Sequence, residues 1–418
     1  MTPPASVRDR RRPGRQAGFT VLAVATVVMM ATASAPSPFY PLYRERWGLS
    51  VTMVTVVFAV YVAGLLAALL TVGPLGDRLG RRPVLLAALL LAAVGTALFW
   101  TANGAPSLVA ARVVQGVATG TATSGLAAGL VEFSPAGRPH AGTTVTSVGT
   151  NAGLAAGAAA VGLLVSHVAH PDTYVFATLT AAFLVLAGLV LLIPETAAPG
   201  AAPTAARRLG PRVPPAARPR FLAAVPALVA GWAVTGLFLA LTPSLVTGVL
   251  HVTWGAAGGL DIAALFLAGA VGGVWSLRRT ARSATLLGAV LLVLGAAGLA
   301  AAVAASSAAG FACGAVLAGL GSGMTFHGNL RAIGAVTTAD SRSQVFSAVY
   351  VVSYAALSLP ALAAGLLAPA WGLRTTSFAF IGFVGVLSAV ALAHARDADS
   401  AGTAGTPATA DSATANIH

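Results

Sequence analysis

Between Gly18 and His394 the chain is a succession of long apolar runs broken by short polar punctuation, with no period-two alternation inside the runs. Runs of about 20 apolar residues match the hydrocarbon thickness of a bilayer, and continuous runs rich in Ala, Leu, Val and Gly predict helices, not barrel strands. Six are predicted in the first half: Gly18 to Ala35, Thr52 to Val72, Pro83 to Thr101, Ser107 to Val131, Gly142 to Val165, and Tyr174 to Ile193. Six more follow at 221–241, 256–276, 284–305, 308–330, 343–367 and 375–393. Span 1 is expected to leave the membrane through Pro36-Ser37-Pro38-Phe39-Tyr40-Pro41, which cannot remain helical throughout, so Arg44 and Arg46 fall in a loop.

The polar punctuation divides the chain further. Residues 1–17 form a polar, arginine-rich tail expected on the cytoplasmic side, and 18–196 hold the first six spans. A Pro/Ala-rich segment with Arg207, Arg208, Arg212 and Arg218 makes 197–219 a cytoplasmic linker. The second six spans occupy 220–394, and the Ala/Thr/Asp/Ser composition of 395–418 predicts a disordered cytoplasmic tail. Arg8 to Arg15 followed by an apolar run and Ala33-Ser34-Ala35 imitate a secretory signal, but removing span 1 would leave an odd number of crossings.

Arginine sets the orientation. There is no lysine, and of the 24 basic residues only Arg44, Arg46, Arg374 and the intramembrane Arg112 lie off one face, so the termini are expected in the cytoplasm of a cell membrane. The net charge of +13 is dispersed among apolar runs, which argues against nucleic acid. Absence of lysine excludes a Walker-A loop and Schiff-base chemistry. The single cysteine, Cys313, cannot form an internal disulfide, the histidines are scattered, and no Gly-x-Ser-x-Gly run occurs. No enzyme, metal site or cofactor is therefore expected.

The halves read as a parallel repeat. A shift of 200 places Gly273, Arg278 and Arg282 on Gly73, Arg78 and Arg82, with Leu277 where Asp77 stands. A shift of 203 places Gly319 and Gly323 on Gly116 and Gly120, and Gly365 on Gly162; Pro36-Ser37 and Pro243-Ser244 end spans 1 and 7.

The most charged break is Gly73-Pro74-Leu75-Gly76-Asp77-Arg78-Leu79-Gly80-Arg81-Arg82 between spans 2 and 3. This run resembles the G-x-L-x-D-R-x-G-R-R signature of the major facilitator superfamily, the twelve-span secondary transporters. Arg112-Val113-Val114-Gln115-Gly116-Val117-Ala118-Thr119-Gly120 looks like that family's second signature, and Gly149 to Gly157 like the glycine-rich span 5 of drug:proton antiporters without its proline. Nor does span 1 carry the acid that many such antiporters have. The resemblance implies an all-α polytopic membrane protein with 12 transmembrane helices in two pseudo-symmetric six-helix bundles around a central cavity. It also implies that the first signature holds an outward-facing state and that Arg112 faces the cavity and takes part in proton handling.

Two groups of candidate residues follow. A conformational latch is expected from Gly73, Gly76, Asp77, Arg78, Gly80, Arg81 and Arg82, with Glu132 at the end of span 4 as partner of Arg81 and Asp77 capping a helix of the other half. A proton and substrate cavity is expected from Arg112, Gln115, Asn151, Asp261, His327, Asn329, Tyr61, Trp232 and Tyr354. Arg112 within a span costs roughly 2.5 kcal/mol or more unless it finds a partner, water or a way out. Asp261 is the only acid well inside a predicted span. Burial favours its neutral form and a nearby Arg112 its charged form, the competition that a proton-coupling carboxylate needs.

The expected function is alternating-access transport of a small organic solute, with proton-coupled efflux of amphipathic compounds ahead of uptake of a sugar or other metabolite. A membrane sensor that binds without moving its ligand is the rival from another class. The proton gradient is the expected driving force, the expected partners are a small-molecule substrate and the lipid bilayer, and the chain is expected to function as a monomer.

Overall fold

The computed structural model describes residues 13–72, 79–135, 137–138, 140–195, 211–338 and 341–403. The charged break at Gly73, Gly76, Asp77 and Arg78, most of the 197–219 linker, and the last 15 residues lie outside the described residues. Every regular element among those described is helical. Twelve helices have 20 residues or more: span 1 Pro13–Ser34, span 2 Val51–Val72, span 3 Arg81–Trp100, span 4 Ala105–Glu132, span 5 Ala141–His167, span 6 Pro171–Leu192, span 7 Arg218–Ala240, span 8 Ala257–Ser276, span 9 Ala281–Ala305, span 10 Ala308–Ala335, span 11 Arg342–Trp371 and span 12 Leu373–Thr403. Eleven segments are apolar enough to cross a bilayer, and span 4 is the long helix that falls short, because it spends turns on Arg112, Gln115 and four threonine or serine positions between 119 and 124.

Three boundaries differ from the sequence reading. Beyond Pro36 the chain does not enter a loop but turns through a 3-10 segment Ser37–Phe39 into the helix Tyr40–Trp47. The prolines sit in the first turn of each piece, where a missing N–H costs no hydrogen bond. Span 7 is entered through a 3-10 turn Pro215–Ala217, and Arg212 donates its backbone N–H to the Gln344 carbonyl at 3.4 Å, so the end of the linker lies against span 11. Span 12 runs on to Thr403, past the expected start of the tail at 395. The Ala-rich 391–403 stretch holds no proline, and alanine is the strongest helix former.

Each six-helix half uses the same packing. In the first, span 2 lies on span 4, span 3 on spans 4 and 6, and span 1 on spans 4, 5 and 6; spans 8, 10, 9, 12, 7 and 11 repeat the scheme. The glycines that revealed the repeat are its contact points. A Cβ on Gly116 or Gly120 would come within 2.2 and 2.3 Å of the Tyr61 and Leu65 carbonyls of span 2. One on Gly319 or Gly323 would meet the Leu265 and Gly269 carbonyls of span 8 at 2.2 and 2.0 Å. Small residues let the backbones approach, the usual basis of helix packing in a bilayer.

The halves join along two seams related by the same pseudo-two-fold, span 2 against span 11 and span 5 against span 8. One membrane face, here the arginine-rich face, carries the ends Val72, Glu132, Leu192, Ser276 and Ala335. At the opposite face Gly365 packs on Thr55 while Thr52 donates to the Gly365 carbonyl at 2.6 Å, and Gly162 packs on Gly259. A shared apolar core continues inward, joining Phe58, Tyr61 and Leu65 of span 2 to Leu237, Leu265 and Leu357 of the second half.

Candidate functional site

Two constellations of polar side chains lie inside the bundle and one at the arginine-rich face. The first is built around Arg112. Seven residues into span 4, it lies about 10 Å below the arginine-poor face at 1.5 Å per residue. The side chain is 0% exposed, so it does not snorkel to the surface. Its Nη1 donates to the Ala33 carbonyl at 3.2 Å and to Gln115 Oε1 at 2.8 Å, and its Nη2 to the Tyr40 hydroxyl at 2.5 Å. The Tyr40, Tyr61 and Phe99 rings surround the guanidinium at 5.2–5.8 Å. Gln115 is held in turn by donating to the Thr32 carbonyl at 2.7 Å.

Hydrogen bonds to a charged donor contribute about 1.5–3 kcal/mol each and desolvated cation–π contacts up to about 2, so neutral groups offset the insertion cost of this cation. No carboxylate pairs with Arg112 among the described residues, and its Nε makes no hydrogen bond there. The sequence does not single out Tyr40, which falls in the segment Pro36 to Pro41 through which span 1 is expected to leave the membrane. The continued helix returns it to the core.

The second constellation crosses the seam between halves. His327 of span 10 bonds Ser147 of span 5 through Nε2 at 2.8 Å, and its Nδ1 meets the Gly323 carbonyl at 2.9 Å. With Nδ1 protonated toward that carbonyl, Nε2 accepts from the serine. One turn deeper, Asn151 donates to the Ser147 carbonyl and presents Oδ1 to Gly269 of span 8. Beside His327 lies Phe326, then Trp232 of span 7 and Tyr354 of span 11, with centroid separations of 5.5, 5.8 and 5.0 Å. Tyr354 packs against the core that contains Tyr61, so the aromatic path reaches the Arg112 cage. These rings and amides are half-buried, which suits a binding pocket better than a sealed core. Ser147 and Phe326 were also missed from sequence; nothing in one strand of sequence marks which face of spans 5 and 10 meets the seam.

Two candidates stand apart. Asp261, four residues into span 8, is 9% exposed and makes no hydrogen bond or ion pair among the described residues. Asp261 forms no ion pair with Arg112, whose guanidinium is held by spans 1 and 4 and by Tyr40. Asn329 is buried and donates to the Thr325 carbonyl of its own helix at 2.9 Å, so it joins neither constellation.

At the arginine-rich face, Arg81 pairs with Glu132 at 2.6 Å, as the latch reading expected. Arg15 donates to the Glu132 carbonyl, and Arg82 to the Leu191 carbonyl at the end of span 6. Glu195, which the sequence marks only as part of the Pro194-Glu195-Thr196 stop of span 6, accepts the backbone N–H groups of Arg81 and Arg82 at 3.1 and 3.0 Å. It thus satisfies the free donors at the N-terminus of span 3 and complements the helix dipole. Gly80 makes this possible: its φ is +95°, and a Cβ there would approach Glu195 Oε2 at 3.0 Å.

The family model of the Major Facilitator Superfamily matches residues 22–356, which runs from span 1 into span 11 and takes in the residues of the three constellations other than Arg15. The chain belongs to the Major Facilitator Superfamily. Its architecture is accordingly that of a membrane transporter and not an enzyme. This superfamily chain is 30% identical over 194 residues to a tetracenomycin C resistance and export protein of Streptomyces glaucescens. The match takes in 46% of this chain and 35% of that relative, so it spans about a third of the relative's length. Among solved structures, a bacterial homologue of the human lysosomal transporter Spinster, inward-facing and unoccupied, superposes with a TM-score of 0.76. It covers 92% of this chain and 98% of its own at 15% identity; the same homologue in an occupied inward-facing state gives 0.73 at 14% identity over 92% and 97%. At that identity the likeness is one of fold.

Proposed function

We propose that this transporter exports small amphipathic organic compounds by alternating access, driven by the proton gradient. The observation that carries the reading is the half-buried aromatic and amide path across the seam, Trp232, Phe326 and Tyr354 with Ser147, Asn151 and His327, which packs against the core holding the buried Tyr61. Flat apolar surfaces with a few hydrogen-bonding groups and no carboxylate suit cargo that is neutral or weakly charged. The partial likeness to an export protein supports the outward direction.

The arginine-rich face is the cytoplasmic one on this reading, since basic residues concentrate on that side of bacterial and eukaryotic membranes alike. Asp261 is the proton carrier: it is a buried carboxyl without a fixed counter-ion, at a seam helix that moves when the halves rock. Arg112 keeps spans 1 and 4 together around a fixed positive charge. Glu132 and Glu195, with Arg81, Arg82 and Gly80, form the latch that sets which state is favoured, and Gly73, Gly76, Asp77 and Arg78 belong to it through the same short connection.

The test is transport by the full chain in proteoliposomes, with a panel of planar amphipathic compounds and sugars under an imposed pH gradient. Counterflow of an amphipathic compound that accelerates when the compartment opposite the cargo is acidified is the expected result. Counterflow of sugars alone, or binding without any flux, would overturn the reading.

A further inference from the structure

Two hydrogen-bond donors on the cross-seam path have no partner in the protein. Trp232 lies 14 residues into span 7 from Arg218, and Tyr354 lies 12 residues into span 11 from Arg342. At 1.5 Å per residue both are roughly 20 Å from the arginine-rich face, and their rings meet edge to face at 5.0 Å. Neither the indole N–H nor the phenol O–H makes a hydrogen bond among the described residues. Both side chains are half-buried, and neither donor is sealed within the packed interior. Tryptophan and tyrosine in such positions ordinarily have a partner for the polar edge of the ring. We infer that the cargo is a flat aromatic compound with a carbonyl group on its edge, whose oxygen accepts from Trp232 and Tyr354. The inference rests on the transport reading above and names the class of compound that this pocket takes.

The chemistry of the walls selects a carbonyl. An indole N–H donates and cannot accept, so the atom that meets it is an acceptor, and one carbonyl oxygen has lone pairs for both donors. The surroundings are rings and not charges. Phe326 lies 5.8 Å from Trp232, and Tyr350 stacks on Tyr354 at 6.4 Å, so a flat apolar body has ring faces on either side. The buried cation that a carboxylate would seek, Arg112, has both terminal nitrogens committed to Ala33, Gln115 and Tyr40. Across the seam, span 5 offers the reverse polarity. Asn151 donates to the Ser147 carbonyl at 3.1 Å and turns its Oδ1 toward Gly269, while Ser147 is engaged by His327. An acceptor on the cargo is therefore disfavoured beside Asn151 and directed toward spans 7 and 11.

Equilibrium binding of tritiated 9-fluorenone and fluorene to the detergent-purified full chain tests the inference. The two tricycles differ only by a ketone in place of a methylene, and partition into the micelle is common to every variant, so the affinity ratio is the readout. The parent is expected to favour fluorenone by about 25-fold, two neutral hydrogen bonds at about fivefold each. Trp232→Phe and Tyr354→Phe each keep a ring and remove one donor, and should each lower that ratio about fivefold; together they should abolish it. Tyr43→Phe removes another phenol without a partner, one sealed inside the first half, and should leave the ratio as in the parent. Equal affinity of the parent for both compounds, or the same loss of preference in Tyr43→Phe, would overturn the inference. Donor-dependent binding of fluorenone without counterflow would uphold the chemistry of the pocket and sink export, so the two failures are told apart.

Discussion

A single buried guanidinium shows what this protein asks of individual residues. Arg112 is fully enclosed, yet its donors go to a carbonyl, an amide and a phenol and its charge to three rings. Lysine keeps the charge but loses the fork, so Arg112→Lys should lower transport at least about tenfold, one lost charged hydrogen bond being roughly 1.5–3 kcal/mol. Removing one of its acceptors is milder: Tyr40→Phe should lower the unfolding temperature by a few degrees with cargo affinity unchanged, read by thermal melts and equilibrium binding. Asp261 is predicted to act differently, because it has no structural partner to lose. Asp261→Asn should retain counterflow and lose acceleration by a pH gradient; a variant still driven by that gradient would exclude the residue as proton carrier.

At the scale of elements, the glycines decide how close the helices come. Gly323 faces the Gly269 carbonyl with 2.0 Å between that oxygen and a would-be Cβ, whereas Gly188 of span 6 has nothing within 4 Å. Gly323→Ala should destabilise by about 1–3 kcal/mol, as overpacking does, and Gly188→Ala should be neutral or slightly stabilising. Thermal melts of the two variants in one detergent check the contrast. The N-terminus of span 3 offers a second test, because Glu195 serves two backbone donors that no other side chain reaches in the described structure. Glu195→Gln weakens this cap by removing its charge, and should shift the inward/outward accessibility ratio of cysteine probes if span 3 belongs to the latch.

For the whole molecule, the seams matter most. At the arginine-poor face Thr55 and Gly365 are in direct contact across spans 2 and 11, so the halves are closed there. Rocking requires that contact to part. A Thr55→Cys, Gly365→Cys pair, with the exposed Cys313 first replaced by serine, should cross-link on oxidation and stop transport, which returns on reduction. Full transport by the cross-linked protein would show that this seam does not open in the cycle.

The long apolar runs, the arginine bias and the recurring glycines were enough to specify twelve helices and two like halves, because each rests on local composition or a constant offset, whereas the Arg81–Glu132 pair came from the resemblance of the Gly73–Arg82 run to a family signature. Helix count survives even where span 4 is too polar to qualify by apolarity alone. Proximity between distant segments was beyond that kind of reading. Tyr40 meeting Arg112, Glu195 reaching span 3 from 114 residues away, and Ser147 meeting His327 across 180 residues depend on the rotation of each helix about its axis. In so uniformly apolar a chain, hydrophobic periodicity scarcely distinguishes a face turned to lipid from one turned to protein. The packing of small residues against neighbouring backbones makes that choice, and it exists only in three dimensions.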